Sequence, residues 1–149
     1  MQELGRVLGL DIGDVRTGVA VSDPLQIIAS PREVVPSTSP ETLLARVQEI
    51  VRETEARSVV VGVPLDQHGN RGPQADKVML FVERLRAVVD IPVVTQDERF
   101  STAEAQRMLI AADVRRAKRK KVVDKVAAAH ILQTYLDRLA ADRRRSAGA

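Results

Sequence analysis

The sequence has no cysteine and no tryptophan, and its only aromatic residues are Phe81, Phe100 and Tyr135. Without cysteine there are no disulfides, no thiolate metal ligands and no cysteine nucleophile. Their absence fits a reducing compartment, and the expected location is the cytoplasm. So few aromatics leave the core to Val, Leu, Ile and Ala, and exclude a nucleic-acid surface built mainly from stacked aromatic platforms. No apolar run approaches the ~18 residues of a membrane span, and the first residues lack the apolar centre of a secretory signal. No membrane association is expected.

What is present suits one globular domain spanning 1–149. The chain has 149 residues, 44% hydrophobic and 29% charged, enough to bury a continuous core. Its net charge is only +3, but the basic residues are clustered. Arg115, Arg116, Lys118, Arg119, Lys120 and Lys121 fall together, and Arg143, Arg144 and Arg145 lie near the end. Such density suits a polyanionic partner; a solvated mobile loop (about 113–122) and a basic tail (about 141–149) are the plainer account.

Periodicity gives the order of elements. Arg6 to Ile12 reads as a buried strand, Gly13 to Arg16 as a turn and Thr17 to Ser22 as the return strand of a hairpin. Ile27 to Val35 is a third strand, in which Pro31 demands an edge position or a bulge. Ser39 as N-cap and Pro40 at the first helical position open a helix to Glu55. The β-branched run Ser58 to Val63 suits a strand covered on both faces. A polar loop (Pro64 to Gly72), a helix (Gln74 to Val89), a strand (Ile91 to Gln96), a helix (Thr102 to Ala112) and a last helix (Val123 to Leu139) follow. A three-stranded antiparallel meander followed by βα crossovers predicts an α/β fold: a mixed five-stranded sheet with two parallel strands and helices on both faces.

Three carboxylates stand out. Asp11 ends the first strand, where an ionised group is costly unless paired or bound to a metal. Glu98 follows the strand Ile91 to Gln96, and ligand sites of open α/β sheets lie beyond the carboxyl ends of parallel strands. Asp124 opens the last helix on the stripe of Ala128, Ile131 and Tyr135, which should face the sheet. Three inward carboxylates suit hard divalent cations, and two such ions about 4 Å apart promote phosphodiester hydrolysis. On the residues alone, Asp124 is equally a favourable acid in a helix first turn, and Asp97 and Glu98 are equally surface acids. His130 lies off the Asp124 face of its helix and reads as structural; His68 reads as a surface loop residue.

The segments Leu10 to Asp23, Asp97-Glu98-Arg99-Phe100-Ser101-Thr102 and Asp124 to Leu136 together resemble the YqgF/RuvX family. Its members are bacterial RNase H-like proteins described as Holliday junction resolvases and as pre-16S rRNA nucleases. The resemblance covers nearly the whole chain and rests on several motifs in order. It implies an RNase H-like fold in which Asp11, Glu98 and Asp124 are the catalytic, metal-binding acids, with Mg²⁺ or Mn²⁺ as cofactor and two ions. It places Arg16, Arg99, Ser101 and Thr102 around the scissile phosphate; the run Arg115, Arg116, Lys118, Arg119, Lys120 and Lys121, just before Asp124, would then hang near the mouth of the metal site and engage phosphates. The loop around Gly69 departs from the family, with His68 and Arg71 where acids are common.

The implied activity is endonucleolytic hydrolysis of structured nucleic acid, either at the 5′ end of pre-16S rRNA or in branched DNA. Symmetric junction cleavage would call for a homodimer. A non-catalytic nucleic-acid-binding module is the alternative of another class; it gives no reason to gather repulsive carboxylates. A small-molecule phosphotransferase, with its own Asp-x-Gly phosphate turn, would need a second domain.

Overall fold

The computed structural model describes residues 4–66, 68–98 and 116–148, the side chains of 116–125 excepted. The apolar run after Arg6 forms β1 (Val7–Ile12), which pairs antiparallel with β2 (Arg16–Ser22) so that Leu10 faces Val19 and Asp11 faces Gly18. The connecting turn is tight. A Cβ on Gly13 would stand 2.4 Å from the Arg16 carbonyl oxygen, so a larger residue would force it open. Strand β3 (Ala29–Pro36) pairs with β2 at the sheet edge, and its register shifts between Val19 and Ala20, which face Glu33 and Pro31. Arg32 is thus the extra residue of a bulge, the device expected where a proline lacks its ladder donor.

Before β3, Asp23 organises the loop: its Oδ1 accepts the amides of Ile27 and Ile28, both at 2.8 Å. Helix α1 (Pro40–Thr54) starts as expected. Ser39 is extended and its Oγ accepts the Thr42 amide, while Pro40 needs no donor in the first turn. The helix ends on Glu55 in the left-handed region (φ 55°), its amide donating to Arg52 and Val51. Strand β4 (Ser58–Val63) lies parallel to β1, helix α2 (Pro73–Val88) follows, and β5 (Val93–Asp97) lies parallel to β4. The sheet order is β3-β2-β1-β4-β5, the mixed arrangement expected from the sequence.

Alternation along the strands divides the core. Leu8, Leu10, Val19, Val59 and Val61 pack under α1 and α2 with Leu43, Val47, Ile50, Val78 and Leu85. Val7, Ala20 and Val60 face a third helix, α3 (Arg116–Gly148), through Ala128, Ile131, Leu132 and Leu136. A Cβ on Gly9 would lie 2.7 Å from Leu132 Cβ and 3.1 Å from the Ala128 carbonyl, so β1 and α3 touch almost backbone to backbone.

Helix α3 corrects the sequence reading. It begins at Arg116 rather than Val123 and runs for 33 residues, so positions 116–122 are helical rather than loop and the arginine tail continues the same helix. Lys, Arg and Ala are all strong helix formers, so a basic run next to an alanine-rich segment extends it instead of breaking it. Near the far end, Arg143 donates to Gln26 and ties the helix to the loop before β3, while Arg145 pairs with Asp142 within the helix itself. The helix expected at Thr102 to Ala112 lies outside the described residues. No described helix is long and apolar enough to cross a membrane.

Two outcomes test this architecture. Gly9→Val should destabilise the fold by about 1–3 kcal/mol, the usual cost of overpacking, read from urea unfolding. The two amides, that of Ile28 foremost, hold the Asp23 carboxyl below its ordinary 3.8. A lowered folded pKa means its stabilisation is complete above that ordinary value and is lost as pH falls through the folded one. Stability should therefore drop in acid, and Asp23→Asn should remove part of that drop in unfolding curves taken from neutral to acid pH.

Candidate active site

The carboxyl ends of β1, β4 and β5 meet at one end of the sheet, under α3. Continuing the β1–β4 register by one residue sets Asp11 beside Gly62, which pairs with Gln96. On its other side Asp11 faces Gly18. The row across this face is therefore Gly18, Asp11, Gly62, Gln96, whereas the row beneath is Ala20, Gly9, Val60, Val94. Two glycines leave the sheet bare on both sides of a half-buried carboxylate. The space over Gly62 is used: a Cβ there would come within 2.6 Å of Ile131 Cδ1 and 3.0 Å of Glu98 Cγ.

Glu98 is held from two directions. Its amide donates to the Val63 carbonyl at 3.0 Å, extending the β4–β5 ladder past β5. Its Oε1 accepts a hydrogen bond from Gln96 Nε2 at 3.0 Å. The same nitrogen donates to the Ile131 carbonyl of α3 at 3.0 Å. Gln96 is only 2% exposed, and its Oε1 has no partner among the described residues. The two acceptors fix which end of the amide is nitrogen. A buried acceptor oxygen is thus left beside Glu98, a position that normally costs stability unless water or a cation answers it.

Asp124 reaches the site through the direction of α3. Ile131 lies over Gly62, and Ala128 and Leu132 lie over Gly9. Tyr135 and Leu139 line a cavity with Ser58 and Val94 at the opposite end of the sheet. The helix therefore runs antiparallel to β1 and β4. Asp124 is one turn before Ala128, about 6 Å along the helix, and Asp11 is two residues past Gly9, about 6.6 Å along the strand. Backbone position thus brings Asp124 over the end of β1; its side chain lies outside the described residues. Among the described residues no three acidic or histidine side chains form a metal-binding group. The donor set still fits a hard divalent ion, because the ligand atoms it offers, the carboxylate oxygens of Asp11 and Glu98, are both of the hard oxygen type.

The other site residues separate. Arg16 opens β2 at this end of the sheet and is half-buried. Positions 116 to 121 lie on the first turns of α3, upstream of Asp124 and beyond the sheet end. Their side chains (Arg116, Lys118, Arg119, Lys120 and Lys121) lie outside the described residues, as do Arg99, Ser101, Thr102 and Arg115 altogether. His130 is half-buried on α3. His68 is exposed in a loop where its amide donates to Asp66 Oδ1 at 2.8 Å, and Arg71 is exposed too. Asp97 is exposed at the end of the edge strand. Gln96 was not among the candidates from sequence. The available signal was its polarity in a strand of apolar residues, two positions before Glu98 and so near the same face.

Comparison with known proteins agrees with this geometry. The family model described as RuvX, Holliday junction resolvase, matches residues 5–138. Two relatives named "Putative pre-16S rRNA nuclease" are similar throughout. That of Desulforamulus reducens is 47% identical over 132 residues, 89% of this chain and 96% of its own. That of Desulforudis audaxviator is 48% identical over 132 residues, 89% of this chain and 94% of its own. Among solved structures, Thermus thermophilus RuvC in complex with a Holliday junction substrate superimposes with a TM-score of 0.57 at 18% identity, covering 91% of this chain and 96% of that one. The fowlpox virus resolvase, in complex with junction DNA, gives 0.52 at 11% identity, covering 90% and 98%. At those identities the likeness speaks for the fold, which is that of the RNase H-like resolvases. The near-half identity of the relatives and a family match from β1 into α3 mean that this chain belongs to the RuvX family.

Proposed function

We propose that this protein is a divalent-metal-dependent endonuclease that hydrolyses phosphodiester bonds in structured RNA, acting at the 5′ end of pre-16S rRNA. The observation that carries the reading is the convergence of Asp11, Glu98 and the helix position of Asp124 at one end of the sheet. It occurs in a family member whose relatives bear the name of that activity. Asp11, Glu98 and Asp124 hold Mg²⁺ or Mn²⁺, with two ions as the full complement. Ions held by these residues would supply a water of lowered pKa and neutralisation of the phosphate charge.

The rest is done by the chain. Gly62 leaves room for Ile131 and the Glu98 side chain to close down on the sheet next to Asp11, so both carboxylates stand at the same strand end. Gln96 fixes the Glu98 rotamer against α3, so two ligand-bearing elements move as one. Arg16, Arg99, Ser101 and Thr102 surround the scissile phosphate, and Arg115, Arg116, Lys118, Arg119, Lys120 and Lys121 attract the flanking backbone. Contacts to phosphate give position and affinity but no base identity, which suits a substrate chosen by its shape.

A second reading, cleavage of four-way DNA junctions by a homodimer, is favoured by the description of the matching family. Assays with pre-16S rRNA, single-stranded RNA and junction DNA separate the two. Preferred cleavage of the rRNA precursor is expected, and symmetric nicking of junctions by a dimer would replace this reading with the second.

Asp11→Asn should abolish cleavage (at least about 10³-fold) while leaving RNA affinity intact; unchanged cleavage would remove Asp11 from the site, and a non-catalytic binder would show none in either protein. Gln96→Leu should weaken Mn²⁺ binding by about tenfold, the usual effect of losing a residue that orients a ligand. Calorimetric titration reads that change without reference to turnover. Chelation of divalent ions should stop cleavage and Mn²⁺ or Mg²⁺ should restore it.

A further inference from the structure

A second concave site lies at the same end of the sheet but on its other face. We propose that this cavity, of about 500 Å³, takes one unpaired ribonucleotide of the cleaved strand, adjacent to the scissile phosphate. The proposal rests on the nuclease reading above and names the feature of RNA that it selects. Its volume falls within the range of about 300–1,000 Å³ found for small-ligand sites.

Position is the first argument. Ile12 and Gly13 line the cavity, and Asp11 is the residue before them. Successive strand residues point to opposite faces, so Asp11 faces α3 while Ile12 faces α1 and α2. A strand leaving the Asp11 carboxylate need only cross the end of the sheet at Gly13 to enter.

Preorganisation is the second. Gln74 Nε2 on α2 donates to the Ile12 carbonyl at 3.2 Å, and Ser37 Oγ donates to the Gly13 carbonyl at 2.6 Å. The hairpin is thereby tied to α2 on one side and to the β3–α1 loop on the other. The walls do not depend on a ligand to form.

Chemistry is the third. The cavity presents Leu43 and Phe81 inside and Leu80 at the rim, 59% exposed. Along α2, Lys77, Leu80, Phe81 and Arg84 follow i, i+3, i+4, i+7 spacing, so a cation stands at each end of an apolar stripe. Seven residues separate the cations by about 10 Å along the axis. A base seated on the apolar middle would direct its two flanking phosphates toward Lys77 and Arg84. Polar groups for the base edge come from Thr38 and Gln74, the combination by which an extruded base is read. Lys77 now pairs with Asp14 at 3.3 Å and Arg84 with Glu41 at 3.7 Å. All four side chains are substantially exposed, and such pairs are weak enough for a phosphate to displace.

The test uses the full chain and a pre-16S rRNA fragment carrying one abasic ribose at each nucleotide flanking the cut in turn. One abasic position should raise KM by about five- to tenfold, the loss expected for one stacked base, with kcat little changed. Leu80→Asn, which removes the apolar contact without adding charge, should raise KM on intact RNA by a similar factor and add nothing on that abasic RNA. Leu80 is exposed, so the variant should fold, which its thermal transition verifies. In an independent arm, 4-thiouridine at the sensitive position should photo-crosslink Asp11→Asn protein within Pro73–Val88. The subsite is overturned if no abasic position alters KM, if the two losses multiply, or if crosslinks fall on α3 alone. If the unsubstituted chain cleaves no RNA, the nuclease reading fails and takes the subsite with it.

Discussion

Helix α3 rests on β1 at Gly9, and the candidate site takes its dimensions from that contact. With no Cβ at that position, the Ala128 carbonyl and Leu132 come close to the strand backbone. A side chain there would lift the helix and carry Asp124 away from the sheet end. Because α3 is antiparallel to β1, a step of one turn toward its N-terminus matches a step of two residues toward the strand's C-terminus. The acids on the two elements are therefore brought to one level by backbone geometry. Ile131 over Gly62 repeats the arrangement one strand further on.

The polar groups at the sheet end follow from this approach. Carboxylates gathered under a helix repel one another and lose hydration, so they need compensating partners. Gln96 supplies one hydrogen bond to Glu98 and a second to the α3 backbone at Ile131. Its own carbonyl oxygen stays buried without a partner among the described residues. A buried acceptor beside carboxylates is destabilising in an apo protein and favourable next to a cation or its water. The fold thus accepts a local cost at the place where the chemistry is proposed to occur, as functional sites commonly do.

The two faces of the sheet divide the work. On the α3 side the row at the strand ends is bare or polar, and the proposed hydrolysis takes place there. On the α1/α2 side the same strand ends border a braced, mostly apolar cavity with cations at its rim. The tight turn at Gly13 separates them, so nucleic acid lying across the sheet end would touch both. This arrangement suits a chain with three aromatic residues: Leu43 and Leu80 beside the single ring of Phe81 replace the stacking platforms it lacks.

The strands, α1 with its Ser39 cap, α2 and the bulge at Pro31 were legible in the sequence, because alternation, helical periodicity and proline act over a few residues. Asp11 was legible for the same reason, as a charge inside an apolar strand has few bland explanations. Glu98 and Asp124 were ambiguous on their own, and the resemblance in motif order was needed to group them with Asp11. Where β5 and α3 bring those positions depends on packing between residues more than thirty apart, which no local pattern encodes. Gln96 was missed because a strand-end amide becomes distinctive only when Glu98 and the Ile131 carbonyl close around it. The basic run was read as a loop, yet strong helix formers joined to a packed alanine-rich helix simply lengthen it. The sequence by itself determined which elements form and which acids are unusual, through short-range sterics and hydrophobic period. Only the tertiary structure decided that Asp11 faces α3, that Gly62 gives Ile131 and Glu98 room beside it and that Gln96 holds Glu98, because those relations come from backbone approach between distant segments.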